Sequence, residues 1–92
     1  MSEDEAFSIL ADENAKYEDI DSAVDAILEI YSYDQKVQSL VNLIKLINAM
    51  IRSGKKFNIK YEKDSYLFML LSKSRRELAE RIQILKRIKE EG

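Results

Sequence analysis

The most apolar part of the chain is the segment at residues 37–51, VQSLVNLIKLINAMI. Plotted at 100° per residue, its apolar side chains cover roughly 220° of a helix circumference and leave only a narrow polar strip. A helix with that much apolar surface needs packing partners on two sides. The segment therefore predicts an all-α fold, a small three- to four-helix bundle with this helix in the middle.

Composition supports a single helical domain. The chain has 92 residues, of which 46% are apolar and 35% charged, a balance typical of a globular protein with one modest core. It contains no proline and only two glycines, so helix breakers are almost absent. The chain starts MSEDE, and no apolar run approaches the ~20 residues of a membrane span. We therefore expect a soluble, cytoplasmic protein that contacts no membrane.

The residue types that most often carry chemistry are missing. Without cysteine or histidine, the chain has no disulfide, no zinc–thiolate site and no imidazole base. Residues 53–56 match S-x-x-K, but we interpret them as a helix end followed by solvated lysines. Asp19, Asp21 and Asp25 could bind a hard cation, but they lack the spacing of a calcium loop and are better explained as helix caps. The sequence predicts a protein that is not an enzyme and has no metal or cofactor.

Charge is distributed unevenly along the chain. Residues 1–35 hold eleven acids and one base, a net charge of −10, whereas residues 36–92 hold fourteen bases and six acids, a net charge of +8. One interpretation is a dipolar surface that docks on a charged partner. The other is that the two halves pack side by side and neutralise each other.

Capping signals divide the first half of the chain. Ser2 opens an S-x-x-E capping box, which predicts a first helix at about residues 3–15. Its apolar stripe is narrow, so we expect residues 1–17 to be weakly held. Asp19 and Asp21 are candidate caps of a second helix at about residues 21–32, and Asp34 is the candidate cap of the third. Residues 19–53 then form the central helices; one continuous helix at 21–51 is the second choice.

Gly54 is expected to end the central helix in a left-handed cap, followed by a short basic linker at residues 54–64. In this linker Phe57, Ile59 and Tyr61 alternate with polar residues, which indicates an extended segment. Its apolar side chains either anchor a loop to the core or mark an edge that pairs with another chain.

The last helix is predicted at residues 65–91 and is long for so small a domain. One apolar stripe runs along it with the spacing of a partner-helix seam. We define this seam by five residues: Leu71, Leu78, Ile82, Leu85 and Ile88. It packs either on the first two helices or on another protein.

Basic residues suggest where nucleic acid or an acidic partner would bind. Most bases of the last helix have an acid four residues away, as in the pairs Glu77–Arg81 and Lys86–Glu90, so they are predicted to pair within the helix. The linker region has few such partners, which makes it the better candidate for phosphate contact. The predicted contact residues are Arg52, Lys55, Lys56, Lys60, Lys63 and Arg75.

Lysine, glutamate and isoleucine are abundant while histidine, cysteine and proline are missing, a composition similar to that of hyperthermophile proteins. In length, composition and charge layout the whole chain resembles small archaeal accessory subunits, those bound to the crenarchaeal replicative B-family DNA polymerase. It resembles a small archaeal viral protein equally well. No motif is shared, so no functional residue carries over.

These observations favour a non-catalytic accessory protein that docks on a larger protein, such as a DNA polymerase or another complex of DNA replication. The alternative is a stand-alone nucleic-acid-binding homodimer that uses residues 52–63 and the C-terminal helix. Its copies would associate through the last helix or by pairing of residues 57–61. A third option is a structural or regulatory protein without any link to nucleic acid.

Overall fold

The computed structural model describes residues 1–56 and 66–92, without the side chains of Lys55 and Lys56. Four helices account for the regular structure of the described residues. They are α1 (Glu3–Ala11), α2 (Tyr17–Ile30), α3 (Gln35–Lys56) and α4 (Tyr66–Glu91). The prediction of a small all-α bundle with a long C-terminal helix is confirmed. The predicted extended linker falls mostly outside the described residues.

The helices form an antiparallel ring in which α1 packs on α2, α2 on α3, α3 on α4 and α4 on α1. Polar contacts fix the direction of the helices: Asp34, just before α3, binds Arg81 in the second half of α4. The third helix was predicted to lie in the middle of the bundle, and this is wrong. It packs on α2 and α4, so its predicted packing partners on two sides are confirmed, but each helix of this ring has two neighbours and none of the four is central.

Each helix contributes its apolar stripe to one core. The side chains of Ala6, Val24, Ile27, Val37, Val41, Ile44 and Leu78 have no exposed surface at all. Four of the five seam residues, Leu71, Leu78, Ile82 and Leu85, are also buried in this core. The seam therefore packs inside the chain, against α3 and α1, and Ile88 alone among the five is exposed, by 59%.

The predicted caps are partly confirmed. The hydroxyl of Ser2 accepts a hydrogen bond from the Glu5 N–H at 3.2 Å, and Asp34 Oδ2 accepts one from the Val37 N–H at 3.0 Å. The cap at Asp34 separates α2 from α3, so the single helix at 21–51 is excluded. The second helix, however, begins at Tyr17 after Lys16, which makes no side-chain cap. Asp19 and Asp21 lie inside α2, and their prediction as caps is wrong.

Two predicted helix ends are wrong as well. The first helix stops at Ala11, because the Asp12 carboxylate accepts a hydrogen bond from the Asn14 N–H at 2.9 Å and turns the chain. The third helix does not stop at Gly54 but continues to Lys56. Gly54 is buried and lies three residues after buried Ile51, on the packed side of the helix, so packing outweighs its weak helix propensity there.

The narrow stripe of α1 is supplemented by polar contacts at its start. The buried Tyr31 hydroxyl donates a hydrogen bond to the Glu3 carboxylate, and the Lys86 ammonium lies 3.6 Å from the Asp4 carboxylate. Burial, and then the hydrogen bond to Glu3, raise the pKa of Tyr31 above its ordinary value, which favours the protonated phenol that donates this hydrogen bond. The first turn of α1 is therefore tied to the α2–α3 connection and to α4.

Among the described residues, no helix combines the length and the apolarity that a membrane span requires.

Candidate protein-docking surfaces

Ion pairs join the acidic and the basic parts of the chain. Each of the five pairs between described residues links an acid from the first 34 residues to a base from α3 or α4. They are Asp25–Lys45 at 2.8 Å, Asp21–Arg52 at 3.0 Å, Glu18–Arg52 at 3.8 Å, Asp34–Arg81 at 2.7 Å and Asp4–Lys86 at 3.6 Å. The acidic and basic parts of the chain thus form ion pairs between packed helices. This favours the interpretation that the two halves neutralise each other over the interpretation of an open dipolar surface.

Arg52, the first of the predicted contact residues, faces α2. Its guanidinium donates to Asp21 Oδ2 and lies close to Glu18. The same Asp21 carboxylate accepts a hydrogen bond at 3.0 Å from Asn48, which is fully buried and also donates to the Tyr17 carbonyl at 3.1 Å. Arg52 therefore already has two carboxylate partners, and it belongs to the contact between α2 and α3.

Arg75, another predicted contact residue, was expected to face solvent, and this is wrong. The residue is only 7% exposed, and its Nη2 donates to the carbonyl oxygens of Ile9 and Leu10 at 3.0 Å and also to that of Asp12. These carbonyls end α1, where a cation is favourable. Burial lowers the pKa of the guanidinium, which Asp12 and Glu13 partly oppose. Arg75 caps α1 and is not available to nucleic acid.

The other four predicted contact residues remain a prediction. Lys55 and Lys56 lie in the last turn of α3, but their side chains fall outside the described part. Lys60 and Lys63 fall within residues 57–65, which are not described. Of the six residues, only Arg52 and Arg75 have described side chains, and both are bound within the fold.

Pairing within α4 is not observed for Arg81 and Lys86, the bases of the two predicted pairs named above. Arg81 was expected to pair with an acid one turn away, but its Nε and Nη2 bind the two oxygens of Asp34 at 3.0 and 2.7 Å. Lys86 likewise binds Asp4 of α1. The hydrogen bonds from Arg81 hold the pKa of the Asp34 carboxyl below its ordinary value, and Asp34 in turn raises the pKa of Arg81.

The first exposed apolar surface, which we call the distal patch, consists of Tyr33, Ile84 and Ile88. These side chains are 70%, 47% and 59% exposed. Tyr33 directly precedes Asp34, and the two isoleucines follow Arg81 by three and seven residues on the same side of α4, so the ion pair holds them at one end of the bundle. Around Ile88, every residue from 86 to 92 is exposed.

The second exposed apolar surface, which we call the α3–α4 face, consists of Leu46, Met50, Tyr66 and Met69. Their exposed fractions are 59%, 44%, 75% and 62%. The apolar surface of α3 is wider than the part that α2 and α4 cover. Leu46 and Met50 belong to the part that stays exposed. Groups of large, exposed apolar side chains are typical of interaction sites.

The structure shows no metal centre among the described residues, where no three carboxylates come close enough to hold an ion. Asp21 and Asp25, proposed above as possible cation ligands, bind Arg52 and Lys45 instead. A groove of about 590 Å³ lies between the α1–α2 connection and α4. Its walls include Glu13, Lys16, Glu18, Phe68, Ser72 and Arg75, a mixture of charges that favours no one kind of ligand.

Comparison of the chain with protein-family models, with curated proteins and with solved structures finds no match. The two apolar surfaces and the charges around them are therefore the features of the chain that bear on its function.

Sequence reasoning missed these surfaces and the buried Asn48. The available signal for Asn48 was a polar residue within the buried stripe of an apolar segment, a position that requires hydrogen-bond partners. For the two surfaces, the signal was the width of the apolar sweep of α3 and the presence of both Ile84 and Ile88 near the end of α4.

Proposed function

We propose that this chain is a non-catalytic accessory protein that docks on a larger protein through the distal patch. The observation that carries the proposal is the exposed helical end of α4. Residues 86–92 are all exposed, and Ile88 lies one turn beyond Ile84 on the same side of α4, at the end of the bundle where Tyr33 precedes the ion pair.

Two physical features support protein docking at this end. A helix that offers apolar residues at i and i+4 fits a hydrophobic groove of a partner, and a tyrosine adds a large, rigid contact area. The ion pair of Asp34 and Arg81, with side chains only 11% and 29% exposed, holds the patch in place before binding. Such preorganisation lowers the entropic cost of association.

The kind of partner is proposed from the resemblance stated above. A complex that handles nucleic acid, with a DNA polymerase as the leading candidate, is the partner that size, composition and charge layout favour. The lack of histidine and cysteine supports a non-catalytic role within such a complex.

The alternative, a stand-alone nucleic-acid-binding homodimer, has less support. Arg52 is paired and Arg75 is buried, so two of its six basic residues are already used within the fold. The other four residues are lysines, and their substitution tests this alternative. Charge reversal at Lys55, Lys56 and Lys60 should abolish binding to a nucleic acid at low salt if it is correct.

A capture experiment tests the proposal. The tagged full chain is incubated with its native lysate, with and without nuclease, and compared with the variant Ile84→Gln/Ile88→Gln. Leu46→Gln serves as a matched control, because Leu46 and Ile88 are both 59% exposed and lie on different surfaces. We expect one large protein to survive nuclease treatment, to remain with Leu46→Gln and to be lost with the distal-patch variant.

Two outcomes would contradict the proposal. A partner that disappears with nuclease identifies a nucleic-acid binder. A partner that is retained equally by the distal-patch variant and the wild type docks elsewhere.

A further inference from the structure

We infer that a second copy of this chain covers the α3–α4 face, so that the protein is an isologous dimer. This inference does not depend on the proposed function, because it concerns a different surface. One strip of α3 faces away from α2. Between Ser39 and Ser53, this strip exposes no charged side chain. That strip consists of Ser39, Asn42, Leu43, Leu46, Ala49, Met50 and Ser53.

The two charged side chains within this part of α3 are directed elsewhere. Lys45 binds Asp25 at 2.8 Å, and Arg52 binds Asp21 at 3.0 Å, so both are held on the side of α2. In a chain with 35% charged residues, an outer helix side of four turns without a charge is unusual. Such a surface can meet its own copy without placing like charges together.

The strip is also nearly symmetric about Leu46. If two copies of α3 cross antiparallel with the two-fold axis beside Leu46, Ser39 of one copy lies opposite Ser53 of the other. In the same way Asn42 lies opposite Met50, and Leu43 lies opposite Ala49, so a larger side chain meets a smaller one in the second pair. Any antiparallel two-fold crossing pairs positions in this way, and on this strip no pair brings two charged side chains together.

The exposed apolar residues of α4 lie at the same level of the bundle. Asp34 contacts Arg81, and the two helices run antiparallel with equal rise per residue. Leu46 follows Asp34 by twelve residues, and Met69 precedes Arg81 by twelve residues. Because the two helices run in opposite directions from this ion pair, Leu46 and Met69 lie at the same height along the bundle. Met50 and Tyr66 lie about one turn further along. Along the bundle, all four residues of the face therefore lie within about one turn of the proposed two-fold axis.

This dimer differs from both forms suggested by the sequence. A dimer through the seam of the last helix is not available, because Leu71, Leu78, Ile82 and Leu85 are at most 6% exposed in the single chain. Pairing through residues 57–61 falls outside the described residues. The α3–α4 face uses neither segment.

Sedimentation equilibrium of the full chain tests the inference. The wild type is expected to dimerise, with twice the mass of the 10.7 kDa chain. Leu46→Glu places two carboxylates beside the axis and should raise the dimer dissociation constant by about a hundredfold. Ile88→Glu, the same charge change at an equally exposed residue of the distal patch, should leave it unchanged. Circular dichroism confirms that each variant is folded.

A mixing experiment tests the position of the axis. Leu46→Glu and Leu46→Lys chains should each be monomeric alone, and an equal mixture of the two should form a dimer, because opposite charges then meet at the axis. Three results would overturn the inference: a wild type that stays monomeric, a dimer that is indifferent to Leu46→Glu, or variants that fail to pair on mixing. Loss of the dimer in Ile88→Glu alone would also overturn it, because the interface would then be the distal patch.

Discussion

The two flanks of α3 differ in character. The flank towards α2 is polar, and Lys45, Asn48 and Arg52 each have a partner on that helix. The outer flank carries Leu46 and Met50, which are uncharged and are 59% and 44% exposed. The difference suggests that the two flanks have different roles. Polar contacts between the acidic and basic parts of the chain align the helices, and the uncharged flank is available for association with a second copy. Substitutions on the two sides should therefore affect different properties.

The largest loss of stability is expected from Arg75→Met. Methionine retains the apolar stem but leaves three carbonyl groups at the end of α1 without their buried donor. We expect the free energy of unfolding to fall by about 3 kcal/mol. Urea denaturation followed by circular dichroism, at one fixed protein concentration, measures it. Arg76→Met is the control, because Arg76 is exposed and has no ion pair among the described residues; equal losses in the two variants would contradict the capping role of Arg75.

A smaller, pH-dependent loss is expected from Asp34→Asn. Asparagine can still cap α3, but it no longer forms the ion pair with Arg81, which should cost about 1–2 kcal/mol at neutral pH. The pKa of Asp34 is lowered in the folded chain, so this stabilisation is present above the ordinary value of 3.8 and is lost as pH falls through the lower, folded pKa. The wild type and variant should therefore converge in strongly acidic solution. A difference that is independent of pH would show that the charge of Asp34 does not matter.

A minor effect is expected from Arg52→Gln. The arginine side chain is 45% exposed, and exposed pairs contribute little. The free energy of unfolding should fall by no more than about 0.5 kcal/mol at low salt, and the difference should disappear near 1 M salt. A fall of more than about 2 kcal/mol in the free energy of unfolding would show that Arg52 stabilises the fold about as much as Arg75, and would contradict this prediction.

The smallest effect on the fold is expected from Leu46→Gln in the monomer. Because Leu46 is 59% exposed in the single chain, its replacement should change monomer stability by less than about 0.5 kcal/mol. The apparent stability of the wild type should instead rise with protein concentration, and that of the variant should not. Denaturation at two concentrations distinguishes these cases, and a concentration-independent wild type would contradict association through this face.

Local patterns predicted much of the fold. The cap at Ser2, the break at Asp34 and the buried stripe of α4 all follow from spacing within one helix, where neighbours three or four residues apart are known in advance. The all-α class followed from composition and from the apolar period.

Partners between helices could not be predicted in this way. Arg75 lies 63 residues from Asp12, whose carbonyl it binds, and Arg81 lies 47 residues from Asp34. Nothing in the spacing along α4 indicates which of its flanks faces α1 and which faces α3. The same limit explains why Asp21 was interpreted as a cap and why Ile88 was grouped with four core residues.

The most direct test of the account is the mass of the wild-type chain in solution as salt is raised from about 0.1 M to about 1 M, a range over which screening becomes strong. An interface centred on the uncharged strip of α3 should give a dimer throughout, twice 10.7 kDa, with no weakening at high salt. A chain that stays monomeric, or a dimer that dissociates as salt rises, would contradict the assignment of the uncharged α3–α4 face to association.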